Sequence, residues 1–170
     1  FNELLSIVTS VVTKNGGFIA DYDGDAMTVL FPEGADSALR SAVQIQSAIT
    51  GRNKTNMDKK PLSVNIGLTI GKVALGALGD RARLDSAFLS DCALCALKFD
   101  AAFLVFGSKI IINGLVYSAL CEPLGWFIRP IDKTEVGDKP VFLFEVYNND
   151  NDSLRDRKWK TQNDLERLVF

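Results

Sequence analysis

The chain has 170 residues, of which 47% are hydrophobic and 24% charged, and this predicts one compact domain with a small appendage. Its 19 basic and 21 acidic side chains give a net charge of −2, so no basic surface that would favour nucleic acid or an anionic membrane is expected. The lack of histidine excludes a Ser-His or Cys-His nucleophile, a histidine general base and a histidine-rich zinc site. Any chemistry must therefore rely on carboxylates, lysines and arginines.

Cysteine content and hydropathy predict a cytoplasmic setting. Cys92, Cys95 and Cys121 are too few and too unevenly spaced for a disulfide framework. No apolar run approaches the roughly 18 residues that span a bilayer, and residues 1–12 lack the basic leader of a signal peptide. We therefore expect a reducing cytoplasm, no membrane contact within this chain, and a first residue that already lies inside a domain.

The first third of the chain predicts a helix, a hairpin and a second helix. Apolar residues recur at helical spacing through residues 4–12, and Asn15-Gly16-Gly17 supplies the positive-φ residues that end a helix. Two β-prone segments, 18–22 and 26–31, flank Asp23-Gly24, a dipeptide typical of a tight turn. An amphipathic helix is expected from residue 38 to 51, packed on the sheet, with a polar loop over 52–60.

The remaining elements predict the rest of a mixed domain. Residues 62–78 are expected to form a hairpin of two strands, residues 90–103 a buried helix and residues 105–113 a strand. A short helix over 114–120 precedes two late strands, 127–131 and 141–147, with a polar turn between them. We place one domain at residues 1–147, followed by a polar linker and a C-terminal helix at 148–170.

This order of elements predicts an α+β fold. Helices would pack on one face of an antiparallel sheet, and a ferredoxin-like core whose first strand is absent fits the order best.

Three sequence blocks share an order and a glycine spacing that carry functional information. They are Asn15-Gly16-Gly17-Phe18-Ile19 running into Tyr22-Asp23-Gly24-Asp25-Ala26, then residues 67–73 with Gly76 and Gly79, then Arg83-Leu84-Asp85 through Asp91 to Ala96. Together they resemble the class III nucleotidyl cyclases, the catalytic domains that convert ATP or GTP to a cyclic mononucleotide. The resemblance covers roughly residues 1–147.

The resemblance implies a head-to-tail homodimer, or a heterodimer with another cyclase-type domain, with nucleotide sites at the interface. In the family two aspartates hold two Mg²⁺ or Mn²⁺ ions on the triphosphate. The ribose 3′-hydroxyl then attacks the α-phosphorus and pyrophosphate leaves. A lysine and a second polar residue select the base, and an asparagine and an arginine four residues apart stabilise the transition state.

This chain keeps few of those residues at the matching positions. Asp25 stands at the second metal aspartate, and the first would precede Phe1. Asp21 replaces the base-selecting lysine, and Ala87 replaces the second base contact, which an alanine side chain cannot make. Both positions are therefore doubtful as nucleotide contacts.

The positions that act on the phosphates are also changed. Leu94 stands at the asparagine and cannot donate to a developing charge, while Lys98 keeps the charge of the arginine but not its bidentate fork. Glu135-Val136 aligns with a Lys-Gly of the closing turn. These departures predict a cyclase-like regulatory or interaction domain with weak or no activity. The alternatives are a cyclase completed by upstream residues or a partner, and a nucleotide sensor without turnover.

Several of the same residues also have plainer interpretations. Asp21, Asp23 and Asp25 can be solvated turn acids or can together bind a cation. Small-residue core packing is favoured over zinc or redox chemistry for the Cys-x-x-Cys of Cys92 and Cys95. The glycines of residues 67–79 fit close packing at least as well as a phosphate loop. Lys98 can be a phosphate contact or an ordinary helix cation.

Overall fold

The computed structural model of the chain describes residues 1–79, 84–90, 92, 95–96, 98–121, 126–136 and 139–147. The helices within these ranges are α1 (Asn2–Lys14), α2 (Ala35–Thr55), α3 (Asp100–Phe106) and α4 (Gly114–Ala119). The described part contains no helix that is long and apolar enough to cross a membrane.

The described strands form three sheets. A hairpin of β1 (Phe18–Asp23) and β2 (Ala26–Leu30) makes the first sheet, and β4 (Ala74–Gly79) pairs with β5 (Leu84–Leu89) in another. The central sheet has the order β3-β6-β8-β7, built from β3 (Ile66–Leu68), β6 (Ile110–Asn113), β7 (Phe127–Val136) and β8 (Lys139–Tyr147). All its pairings are antiparallel except β3 with β6, which is parallel.

Apolar clusters cover both faces of the central sheet, and the residues of β6 belong alternately to the two clusters. Ile110 and Ile112 belong to one apolar cluster with Leu39 of α2, while Ile111 between them belongs to a second cluster with Phe103 of α3. Successive side chains of a strand point to opposite faces, so the two clusters lie on the two sides of the sheet. The prediction that the helices share one face was therefore wrong, although α2 does pack on the sheet as expected.

A third apolar cluster joins α1, α2 and the first hairpin. Val12 of α1 and Ile49 of α2 are buried in it, and Val29 of β2 packs against it. Helix α1 ends as predicted, because Gly16 takes a φ of 76° that other residues rarely adopt. The hairpin turn also lies where Asp23-Gly24 predicted it, with Gly24 at a φ of 61°. The first hairpin is thus fixed to the body by its β2 side.

The α+β fold is confirmed, and the boundaries of several elements differ from the prediction. Helix α2 continues to Thr55, inside the predicted polar loop. The predicted hairpin over 62–78 was wrong, because β3 pairs with β6 and β4 pairs with β5.

Further differences concern the second half of the chain. Residues 105 and 106 belong to α3 rather than to the following strand, which begins at Ile110. The late strands continue through most of the predicted polar turn, because β7 runs to Val136 and β8 starts at Lys139. The predicted linker and C-terminal helix at 148–170 lie outside the described residues.

Candidate functional site

The first hairpin carries the three aspartates that the sequence singled out. Asp21 stands opposite Thr28 and Asp23 opposite Ala26, and Asp25 lies in the turn between the strands. A bulge between Ile19 and Asp21 precedes them, and all three side chains are exposed. The hairpin therefore presents its acids to solvent.

These acids do not by themselves form a site for two cations. No three His, Cys, Asp or Glu side chains gather to hold a metal ion anywhere in the described ranges. The side chains of Asp21 and Asp25 make no hydrogen bond or ion pair with another described residue. A divalent cation needs several oxygen ligands, so Asp25 alone would leave most of its coordination to water, phosphate or another chain. Its role as a metal ligand stays a prediction.

Lys98 lies on the opposite side of the central sheet from α2 and contacts the end of β7. Its Nζ donates a hydrogen bond to the carbonyl oxygen of Glu135 at 3.2 Å, and its side chain is exposed. The neighbouring Phe99 is fully buried and anchors this turn. The ammonium group therefore stands at the surface beside the β7–β8 end, already bonded to a backbone carbonyl.

Two glycines allow the segment around Lys98 to approach the sheet. A Cβ added to Gly67 would lie 2.8 Å from the Phe99 ring, and one added to Gly71 would lie 2.7 Å from the Cβ of Cys92. Both distances are shorter than real Cβ contacts, so any larger residue would push the segment away. Close packing thus accounts for these two glycines. Gly76, in contrast, has no neighbour within 4 Å of an added Cβ.

The two cysteines of the Cys-x-x-Cys pattern are free thiols with different surroundings. Burial raises the pKa of the Cys95 thiol, and a hydrogen bond with Asn113 and the nearby charge of Lys98 oppose that rise. A raised pKa disfavours the reactive thiolate, which agrees with a packing role. Cys92 is half-buried, and its sulfur lies 2.7 Å from the hydroxyl of Ser90.

The remaining predicted site residues are only partly described. The backbone of Ala87 lies in β5 opposite Gly76. Leu94 and Asp91 lie outside the described residues. The hairpin acids, Ala87 and Lys98 therefore belong to three separate parts of the fold, and no hydrogen bond or ion pair between described residues connects them. Whether these residues act at one nucleotide site stays a prediction.

Two features of the described structure have no counterpart in the sequence-based predictions. Arg129 and Glu145 form a buried ion pair with an Nε–Oε2 distance of 2.8 Å. An apolar groove of about 600 Å³ also lies between α4 and β8. The sequence did contain a signal for the ion pair: Glu145 is a charged residue at a position of the apolar strand that should face the core. The apolar residues around 115–117 and 142–144 gave no comparable signal for a groove.

Sequence comparison places adenylate cyclases among the relatives of this chain. It is 31% identical over 157 residues to an adenylate cyclase of Anabaena cylindrica, an alignment that covers 85% of this chain and 31% of that protein. It is 24% identical over 167 residues to the terminal-differentiation-specific adenylate cyclase of Dictyostelium discoideum, covering 94% of this chain and 8% of that one. The chain thus spans less than a third of the length of these relatives.

The fold agrees with the sequence comparison. A bacterial light-regulated adenylyl cyclase superposes with a TM-score of 0.71 at 20% identity, covering 95% of this chain and 48% of that chain. The adenylyl cyclase CyaB from P. aeruginosa gives a TM-score of 0.64 at 19% identity, covering 89% and 82%. The chain is a relative of the class III nucleotidyl cyclases. No model of a known protein family matches this cyclase-like chain.

A solved structure of a guanylyl cyclase agrees with these comparisons. The guanylyl cyclase Cya2 also shares the fold, with a TM-score of 0.61 at 20% identity, covering 85% of the cyclase-like chain and 80% of that chain. The hairpin acids and Lys98 lie on different elements of the chain.

Proposed function

We propose that this cyclase-like chain is a regulatory or interaction domain of a signalling protein and turns over nucleotide weakly or not at all. The residues at the predicted catalytic and base-contact positions support this view. Ala87 and Leu94 have no polar side-chain group, and Asp21 carries the opposite charge to the lysine expected there. Loss of one preorganised donor to the transition state costs on the order of 10² to 10³ in rate.

The contact of Lys98 is the observation that carries the proposal. Its ammonium group directs one of its three N–H donors at the Glu135 carbonyl oxygen, which draws it toward the end of β7. A lysine also lacks the planar fork with which arginine binds two phosphate oxygens. Leu94, four residues earlier, stands at the position of the other transition-state group. Lys98 is therefore one weak substitute for two such groups.

Pairing with a second cyclase-type domain is part of the proposal, and the hairpin of β4 and β5 supports it. This hairpin, which we call the arm (residues 74–79 and 84–89), is a sheet separate from the central one. Leu75 on the arm is 56% exposed, and Val73 just before it is 36% exposed. Apolar side chains on a projecting hairpin are suited to burial against another protein. We assign the arm to the contact with a second copy or with another cyclase-type domain.

A turnover assay tests the proposal. Purified protein would be incubated with ATP or GTP and with Mg²⁺ or Mn²⁺, and the cyclic nucleotide would be quantified against a sample without protein. We expect no product above that control. Clear formation of cyclic AMP or cyclic GMP would contradict the proposal.

An active cyclase is the second candidate, and the retained Asp25 at an exposed hairpin turn favours it. Residues upstream of Phe1, or a partner domain, would then supply the missing groups, with Mg²⁺ or Mn²⁺ held partly by Asp25. Mixing this chain with a competent cyclase-type domain tests this candidate, since product in the mixture that exceeds that of either protein alone would support it.

A thermal-shift assay distinguishes a nucleotide sensor without turnover from the regulatory domain and from the active cyclase. A ligand at 100 times its Kd stabilises the folded state by about 2.7 kcal/mol. A shift with ATP or GTP but no product would identify a sensor.

A further inference from the structure

A groove with aromatic walls lies between α4 and β8, and its lining includes neither the hairpin acids nor Lys98. It is an open groove with a volume of about 600 Å³, and its lining is mainly apolar. Ligand sites for small organic molecules typically enclose about 300 to 1,000 Å³ and are lined by apolar and aromatic groups with a few polar atoms. The groove has the size and composition of such a site.

Two of the side chains that line the groove are stacked rings. The rings of Tyr117 and Phe144 lie 4.6 Å apart between centroids and are inclined by only 7°. Phe142 and Leu115 stand at the sides and are 54% and 63% exposed, respectively. Offset stacking on such rings favours flat aromatic molecules over branched aliphatic ones. A planar ligand that extends this stack, or packs against the edges of its rings, fits these aromatic residues.

The polar atoms around the groove define the rest of the ligand. The hydroxyl groups of Tyr117 and Ser118 have no hydrogen-bond partner within the described part of the chain. Lys133 stands directly opposite Phe142 on β7, and its Nζ lies 5.8 Å from the centre of the Phe142 ring. Glu135, two residues further on and opposite Pro140, lies on the same face and carries the opposing charge. The cation is thus next to the aromatic wall and the anion is further along the rim.

We propose that this groove binds a small planar aromatic molecule that carries an anionic group. The rings of Tyr117, Phe142 and Phe144 contact its aromatic part, and Lys133 contacts its charge. The lining of the groove includes neither Asp25 nor Lys98, so binding there can be measured whether or not the chain turns over nucleotides.

Fluorescence titration with 8-anilinonaphthalene-1-sulfonate tests the aromatic part of the proposal. This probe is an anion with a planar naphthalene ring system, and its emission rises when it leaves water. Phe142→Ala should weaken its binding about fivefold, because one aromatic wall is lost. Phe127→Ala is the matched control, since Phe127 is also a half-exposed strand phenylalanine but lies outside the groove. It should leave binding unchanged, and circular dichroism would verify that both variants fold.

The charge requirement is tested with N-phenyl-1-naphthylamine, which is the same probe without its sulfonate. Lys133→Gln should weaken binding of the sulfonate about threefold at low salt and leave the neutral amine unaffected. Glu135→Gln should strengthen binding of the sulfonate or leave it unchanged. Equal binding by wild type and Phe142→Ala, an equal loss in Phe127→Ala, or the same loss for both probes in Lys133→Gln would each overturn the proposal.

Discussion

At the scale of single residues, we expect substitutions in the buried ion pair of Arg129 and Glu145 to change stability most. The side chains of Arg129 and Glu145 are 4% and 1% exposed and lie next to each other on β7 and β8. Removing one partner of such a pair leaves the other charged and buried, which is costlier than removing both. A substitution of only one of these two residues is therefore expected to destabilise the fold.

Glu145→Gln should lower the free energy of unfolding by about 3 to 5 kcal/mol, since the guanidinium of Arg129 loses its counter-charge. Urea unfolding followed by circular dichroism measures this change. The double variant Arg129→Met with Glu145→Leu should recover much of the loss. A single variant as stable as the wild type would show that the pair contributes nothing.

The glycines of the second sequence block give a second prediction for single residues. Gly67→Ala should destabilise the fold by about 1 to 3 kcal/mol, because its methyl group would overlap the Phe99 ring. Gly76→Ala is the control, since open space surrounds that position, and it should be neutral or slightly stabilising. Thermal unfolding of both variants measures these changes in stability. An equal loss of stability in the two variants would refute the packing explanation.

At the scale of elements, α1 is tied to α2 by a bidentate ion pair. Arg52 donates to Glu3 at 2.8 and 2.7 Å, and the same guanidinium donates to the carbonyl of Lys60. The hydrogen bond with Arg52 holds the pKa of the Glu3 carboxyl below its usual value of 4.5, against a smaller opposing effect of desolvation. A carboxyl whose pKa is lowered by folding stabilises the fold above its unfolded pKa and loses that contribution as the pH falls through its folded pKa.

Glu3→Gln should therefore unfold at a lower temperature than the wild type at neutral pH, and the difference should shrink as the pH is lowered through the acid range. Because the Glu3 carboxylate is 45% exposed, high salt should reduce the difference at neutral pH as well. Asp58→Asn, which removes an exposed acid with no ion pair in the described part, serves as the control. A difference between wild type and Glu3→Gln that is independent of pH would rule out the ion pair as its cause.

The arm formed by β4 and β5 predicts how the chain associates. Leu75→Lys should weaken self-association about tenfold, because a charge would enter the proposed contact. Light scattering over a concentration series measures the dimer dissociation constant. Met57→Lys changes a residue that is 83% exposed but lies outside the arm, and it should have no effect. A dimer of unchanged strength in Leu75→Lys would exclude the arm from the interface.

At the scale of the whole molecule, the elements that sequence patterns predicted well depend on local signals. Helix α1 and the first hairpin follow from helical spacing, from Gly16 and from Asp23-Gly24, which act within a few residues. The parallel pairing of β3 with β6 joins segments more than 40 residues apart, and no local signal specifies it. The same limit explains why a hairpin was predicted over 62–78.

The candidate site shows the same division between local and long-range information. The exposed turn position of Asp25 follows from its hairpin. The bond of Lys98 to Glu135 joins residues 37 positions apart and depends on how far β7 extends. That extension carries polar residues that pair only with β8, beyond the last pairing of β6, so the alternation of apolar residues gave no reason to expect it.

Cyclic nucleotide formation at a large excess of protein over ATP or GTP tests most directly whether the chain has lost catalysis. Mass spectrometry would follow product with Mg²⁺ or Mn²⁺ in wild type and in Asp25→Asn. We predict no product in either protein, even after long incubation. Product that increases in proportion to the wild-type protein and disappears in Asp25→Asn would contradict that prediction and establish a working cyclase.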